Sequence, residues 1–153
     1  MKIDSQDGVV TYLQIVSSVS GLTGCKSAEG FVLKHGQKFD PRPLPKGTKR
    51  GPIQQCFRNC ANAAMDDPTL TYCEGYAIGV IPVLHAWCVD KDGKILELTW
   101  KKPGTEYFGI PFQTSFLKRQ LCRSGYFGLI DAWKSNWPLL RGRFPKNEWY
   151  KKL

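Results

Sequence analysis

An apolar stripe near the start of the chain predicts a helix over residues 5–20, with Ser5 as N-cap and Gly21 at the end. The stripe consists of Val9, Val10, Leu13 and Val16. These side chains are mostly β-branched, so a strand over 9–16 is the alternative.

After the first predicted helix, the apolar periodicity ends and a segment rich in proline and glycine follows. Residues 31–34 are compatible with a short strand. Residues 36–52 contain four prolines and three glycines, which disfavour regular structure. This segment is predicted to be an ordered crossing loop or a mobile arm within a single domain, 1–153.

The centre of the chain predicts a helix followed by an antiparallel meander. Residues 53–65 are good helix formers with apolar positions at helical spacing. Strand patterns follow at 70–78, 83–89 and 94–100. The last two are joined through residues 90–93, whose Asp-Gly step favours a hairpin turn.

The C-terminal third predicts one more helix, over residues 113–124, with Thr114 as its cap and Gly125 as its stop. Residues 105–112 are expected to form a strand or loop closing over the core, and residues 127–130 a strand. Helices packed on an antiparallel sheet define an α+β fold.

Composition narrows the class of protein. The 153 residues carry 22 Lys and Arg against 13 Asp and Glu, a net charge of +9, which favours an acidic partner or nucleic acid. No apolar run approaches the ~18–20 residues of a membrane span. Asp4 and Asp7 stand where a secretory signal would be basic and then apolar. We therefore expect a cytoplasmic protein without a membrane partner; the oligomeric state stays open.

Six cysteines, at positions 25, 56, 60, 73, 88 and 122, are expected to be mostly free thiols in a reducing compartment. A zinc site built from Cys56, Cys60, Cys73, His85 and Cys88 is the alternative. Their spacing is not that of a zinc finger or ribbon, so we expect no metal and no cofactor.

Three residues between positions 52 and 100 have the chemistry of a thiol nucleophile and its helpers. Cys56 falls in the first turn of its predicted helix, where unpaired N–H groups and the helix dipole stabilise a thiolate. His85 lies on a strand and Glu97 lies twelve positions later, across the hairpin turn. A hairpin of that length makes His85 and a residue near Glu97 cross-strand neighbours, so the carboxylate is a candidate to orient the imidazole.

Further residues are candidates for the oxyanion and substrate site. Gln54 or Gln55 could donate a hydrogen bond beside the Cys56 sulfur, and Trp87 shares the strand face of His85. Lys49 and Arg50 end the basic loop directly before the Cys56 helix. We therefore expect this loop to form one wall of a Cys56 cleft and to favour acidic substrates.

The order of these motifs resembles the transglutaminase-like branch of the papain-like cysteine enzyme superfamily. The matching residues are Cys56 on a helix, His85 with Ala86 and Trp87 on a strand, and Glu97 followed by Leu98, Thr99 and Trp100. Glu97 stands where that branch usually has Asp, and Leu98 where it has Pro. The layout is also similar to that of a group of small phage and bacterial proteins.

The resemblance implies a papain-like fold and a Cys56–His85–Glu97 triad that hydrolyses or transfers an amide or related acyl group, as a protease, deamidase or transamidase does. Its substrate would be a protein, a peptide or a small amide. One alternative is a non-catalytic protein of the same fold, for example a phage modulator of a host protein in the host cytoplasm, acting through its basic surface.

A nucleic-acid-binding protein is the other alternative. Trp133, Trp137 and Trp149 are interleaved with basic residues, a pattern that suits stacking on bases beside phosphate contacts. The basic residues are Lys134, Arg141, Arg143 and Lys146. The ordinary alternative for this tail is that it wraps the domain with its aromatic side chains buried.

Overall fold

A computed structural model describes residues 8–22 and 27–153 of the chain. The α-helices in this part are α1 (Gly8–Leu22), α2 (Ala28–His35), α3 (Cys56–Asp66), α4 (Thr114–Ser124) and α5 (Lys146–Trp149), and a short 3₁₀ helix spans Trp133–Ser135. The strands are β1 (Gln37–Phe39), β2 (Thr71–Ile78), β3 (Pro82–Val89), β4 (Ile95–Leu96) and β5 (Glu106–Pro111). The fold is α+β, as predicted; Ser5, the expected cap of α1, lies outside the described residues.

The strands form one antiparallel sheet in the order β1-β5-β2-β3-β4. β2 and β3 are paired along their whole length, with Gly75 opposite His85. β4 pairs only with Cys88 and Val89 of β3, so His85 lies beyond the end of that ladder. This leaves the edge of β3 beside His85 open to the segment that follows β4.

The sheet separates two hydrophobic clusters because successive side chains of a strand point to opposite faces. On β3, Ala86 and Cys88 belong to the large cluster that packs against the helices. Trp87 and Val89 belong to a smaller cluster with Tyr107 of β5. Buried side chains therefore cover β3 on both of its faces.

The predicted strand over 31–34 is wrong, because these residues lie in α2. The Ser27 side chain caps this helix by accepting a hydrogen bond from the Gly30 N–H at 3.0 Å, and Glu29 lies in its first turn. Val32 is the residue that α2 buries. A capping serine followed by an acidic first turn is a helix signal that outweighs the β-branched and aromatic residues after it.

Two further predicted strands differ from the structure: one is shorter than expected and the other is absent from the described chain. The strand over 94–100 is confined to β4, because the chain leaves the sheet after Leu96. The predicted strand over 127–130 is not a strand: the N–H groups of Leu129 and Ile130 donate to the buried Glu74 carboxylate at 2.6 and 2.8 Å. A side chain from β2 therefore takes the place of a strand partner.

The termini of α3 and α4 are set by residues next to those expected. α3 begins at Cys56 because Gln54 has a left-handed backbone, with φ of 63°, which interrupts the predicted helix over 53–65. α4 has Gln113 at its N-cap, and Thr114 is its first helical residue. Gly125 ends α4 with φ of 69°, as predicted.

The basic loop before α3 is an ordered crossing segment that begins with β1. Arg42 donates to the Ile95 carbonyl at 2.7 Å and to the Asp90 carboxylate at 2.8 Å. Further along, the Gly51 N–H donates to the Leu98 carbonyl at 2.8 Å. The loop therefore follows the sheet edge and delivers the chain to the start of α3.

No helix within residues 8–22 and 27–153 is long and apolar enough to cross a bilayer.

Candidate active site

Cys56 is the first residue of α3 and is half-buried. The first helical bond runs from the Asn59 N–H to the Gln55 carbonyl at 2.8 Å. The N–H groups of the preceding turn have no partner within an α-helix and point out of its end. The Cys56 sulfur therefore lies where N–H donors and the helix dipole favour negative charge.

His85 and Glu97 form a buried pair beside this helix end. The His85 Nε2 donates to Glu97 Oε2 at 2.9 Å, and the two residues are 2% and 1% exposed. The Trp100 ring stacks on the imidazole with 3.9 Å between centroids and 14° between planes. This packing leaves the imidazole little freedom to turn.

Both carboxylate oxygens of Glu97 are saturated with donors. Oε2 accepts from His85 and from the Tyr107 hydroxyl at 2.7 Å. Oε1 accepts from the backbone N–H groups of Thr99 and Trp100, both at 3.0 Å. Burial raises the pKa of Glu97, but the bonds from His85, Trp100 and Tyr107 outweigh it and lower the pKa overall. Glu97 is therefore held ionised.

The Tyr107 hydroxyl is itself fixed, because it accepts from the Gly104 N–H at 2.7 Å. Burial and the neighbouring Glu97 charge raise the pKa of Tyr107, which keeps its proton available for donation. The buried hydrogen bonds therefore converge on Glu97, from Gly104 through Tyr107 on one side and from His85 on the other.

The Cys56 thiol completes the arrangement as the second partner of the imidazole. Burial lowers the pKa of His85, but hydrogen bonds to Cys56 and Glu97 and the charges of both outweigh burial and raise it to about 9. Because Nε2 faces Glu97, Nδ1 is the ring nitrogen left for the sulfur. The structure brings together the three residues that the sequence placed in one site.

The other residues expected in the site differ in their exposure to solvent. Gln54 and Gln55 are exposed directly before Cys56. Trp87 is fully buried between Phe39 and Tyr107, with ring centroids 5.6 and 5.0 Å away. Its burial corrects the expectation of a direct substrate contact: Trp87 packs beneath the site and supports the His85 strand.

Lys49 and Arg50 are exposed at the end of the basic loop. The Arg50 guanidinium donates to the Trp100 and Lys101 carbonyls, both at 3.0 Å. Because the Trp100 ring stacks on His85, the loop end and its positive charge lie beside the candidate site.

Sequence reasoning missed the residues that hold the triad in place. Tyr107 belongs to the segment 105–112, for which the sequence predicts only a strand or loop closing over the core, and nothing in its spacing from Glu97 marks it as a donor. Asn59 links the helix to the acid segment: its amide donates to Thr99 Oγ1 and to the Pro52 carbonyl, both at 2.9 Å. Its position three residues after Cys56 could have indicated a place on the same helix face.

The remaining cysteines do not form a ligand cluster in the described part of the chain, where no three His, Cys, Asp or Glu residues converge as for a metal ion. Cys60, Cys73 and Cys88 are buried thiols, and Cys122 is exposed. Burial raises the pKa of Cys60, so one turn below Cys56 lies a neutral thiol.

The C-terminal aromatic residues are divided between core and surface. Trp149 is buried, 3% exposed, which removes it from any binding surface. Trp133 and Trp137 are 60% and 37% exposed. The Lys134 ammonium lies 5.3 Å from the Trp133 ring centroid and 4.2 Å from that of Tyr126. A cation and exposed rings therefore form a small surface cluster.

Comparison with protein-family models, with curated proteins and with solved structures finds no match.

Proposed function

We propose that the protein is a thiol-dependent acyl hydrolase or acyltransferase of papain-like, transglutaminase-like architecture, with Cys56 as nucleophile, His85 as acid and base, and Glu97 as the residue that orients His85. The observation that carries the proposal is the imidazole between two groups: an ionised, donor-saturated carboxylate at Nε2, and the helix-terminal Cys56 thiol, which is close enough to raise the pKa of His85. A histidine used only for packing needs no such thiol.

The chemistry follows from these positions. His85 takes the proton of the Cys56 thiol, and the sulfur attacks the carbonyl carbon of an amide or ester. His85 then protonates the leaving amine or alcohol as the carbon–heteroatom bond breaks, which leaves a thioester on Cys56. Attack by water gives hydrolysis and attack by an amine gives transfer; His85 accepts the proton of either one.

Oxyanion stabilisation would come from the start of α3. N–H groups of the first turn, with the exposed Gln54 or Gln55 amide, can donate to the developing negative oxygen. The left-handed backbone at Gln54 turns the chain so that the helix begins at Cys56 itself. Free-thiol chemistry of this kind suits a reducing compartment, so the cytoplasm is the proposed location.

The test is formation of an acyl-enzyme. The protein is mixed with p-nitrophenyl acetate and its intact mass is followed, with peptide mapping of the adduct. We expect one acetyl group on Cys56, lost slowly to water and faster when hydroxylamine is added. Glu97→Gln keeps both the thiol and the imidazole but loses the charge, so it should acylate more slowly. Adducts spread over several cysteines, unchanged by Glu97→Gln, would contradict the proposal.

Nucleic-acid binding is the second candidate, favoured by Lys134 over the exposed Trp133 and Tyr126 rings and by the net charge of +9. It predicts retention on single-stranded DNA that falls steeply with salt and that Trp133→Ala weakens. Retention that Trp133→Ala leaves unchanged would reduce it to general attraction by a basic surface.

A further inference from the structure

A groove of about 380 Å³ runs beside the candidate site, between the basic loop and α3. Its wall on the loop side contains Lys49 and Arg50, and its wall on α3 contains Asn59 and Asn62. Its base is apolar and consists of Leu70, Leu96 and Leu98. A volume of this size lies within the ~300–1,000 Å³ of ordinary ligand clefts.

Asn59 connects the groove with the first turn of α3, which carries the proposed nucleophile. Asn59 follows Cys56 by three positions on α3, and side chains so spaced on a helix have Cβ atoms about 5–6 Å apart. On the other side, Leu98 stands between Glu97 and Thr99, and Thr99 accepts a hydrogen bond from Asn59. Cys56 does not itself line the groove, and Asn59 is the lining residue nearest to it along α3.

The groove combines positive charge with an apolar base. Lys49 and Arg50 line its loop side, and the partners described for Arg50 are carbonyl oxygens, which do not neutralise it. Leu96 and Leu98 provide apolar surface beside them. An occupant is therefore favoured if it carries both an acidic group and an apolar group.

We propose that this groove binds a segment of an acidic peptide or protein substrate, with an apolar side chain over Leu96 and Leu98 and a carboxylate beside Lys49 and Arg50. The segment's backbone passes from the groove to Cys56. The inference rests on the proposed function and adds the substrate class that the function leaves open.

The test uses three acetyl-dipeptide chloromethyl ketones that share a leucine and differ in one side chain: Glu, Gln or Lys. Each alkylates a nucleophilic cysteine, and the rate at Cys56 is divided by the rate with iodoacetamide, which needs no groove. We expect the order Glu, Gln, Lys, with roughly a three- to tenfold difference between the extremes, as one or two exposed ion pairs produce. High salt should reduce the difference.

Two variants and a control locate the effect. Lys49→Ala should reduce the preference for the Glu reagent, and Asn62→Trp should slow all three peptide reagents by filling the groove from the exposed side of α3. Lys46→Ala removes an exposed charge from the same loop outside the groove. It should change neither the preference for the Glu reagent nor the rates of the peptide reagents relative to iodoacetamide.

The outcomes separate the two proposals. Fast labelling of Cys56 by iodoacetamide, together with equal rates for the three peptide reagents, would overturn the groove proposal and leave the proposed function standing. Slow labelling of Cys56 by every reagent would overturn both.

Discussion

The buried Tyr107 hydroxyl offers a test of how the triad is held. Tyr107→Phe removes the donor that contacts Glu97 Oε2 at 2.7 Å and leaves the buried Gly104 N–H without its acceptor. A matched control exists on β2, where the buried Tyr72 hydroxyl donates to the buried Glu74 at 2.5 Å. Tyr72→Phe removes the same kind of bond from a carboxylate that does not orient His85.

The expected magnitudes follow from the bonds lost. A hydrogen bond to a charged group contributes about 1.5–3 kcal/mol, and an unsatisfied buried N–H costs about 1–3 kcal/mol. Tyr107→Phe should therefore lower the free energy of unfolding by about 2.5–6 kcal/mol and Tyr72→Phe by about 1.5–3 kcal/mol. Urea unfolding monitored by tryptophan fluorescence measures both values.

The two variants should differ in thiol chemistry. Tyr107→Phe loosens the carboxylate that orients the imidazole, so the alkylation rate of Cys56 should fall and its pH profile should shift. Tyr72→Phe should leave rate and profile close to those of the wild type. Equal changes in thiol reactivity in both variants would refute the argument that Tyr107 acts through Glu97 and His85.

Two other predictions concern β3, which carries His85 and Trp87. The pKa of His85 is raised from 6.5 to about 9, so protonated His85 stabilises the folded state fully below pH 6.5, and this stabilisation is lost as pH rises through 9. Urea unfolding at several pH values should show the free energy of unfolding falling over this range, and His85→Ala should abolish that pH dependence. A flat wild-type profile over pH 6.5–9 would contradict it. Trp87→Ala should cost about 3–5 kcal/mol in the same assay, because it empties a packed site; a loss below about 1 kcal/mol would argue against this packing.

The central part of the candidate site could be predicted from the sequence because it depends on local rules. The Asp-Gly turn fixes which residues of the hairpin approach each other, and it placed Glu97 near His85. The change from the proline- and glycine-rich segment 36–52 to the good helix formers of 53–65 placed Cys56 in the first turn of α3. Both inferences use short-range patterns: a turn motif and a change in composition.

The supporting residues could not be predicted, because they depend on long-range pairing and on backbone groups. Tyr107 reaches Glu97 only because β5 pairs with β2. The N–H groups of Thr99 and Trp100 bind the carboxylate through the backbone, which side-chain patterns do not record. The burial of Trp87 likewise follows from the second cluster beneath the sheet.

The difference between local patterns and long-range contacts also explains the two wrongly predicted strands. Residues 31–34 have strand-forming side chains, but the Ser27 cap and the packing of Val32 select a helix. Residues 127–130 look like a strand, but their N–H groups bind Glu74, a carboxylate more than fifty positions earlier. In both places a few specific contacts outweigh intrinsic propensity.

The most direct test of the central claim compares two cysteines of one molecule. Cys122 is exposed and Cys56 is half-buried, so access alone would make Cys122 react faster. Iodoacetamide labelling near neutral pH, resolved by peptide mass spectrometry, gives both rates in one sample. We predict faster labelling of Cys56 in the wild type and a reversed order in His85→Ala. Faster labelling of Cys122 in both proteins would contradict an activated thiol at Cys56.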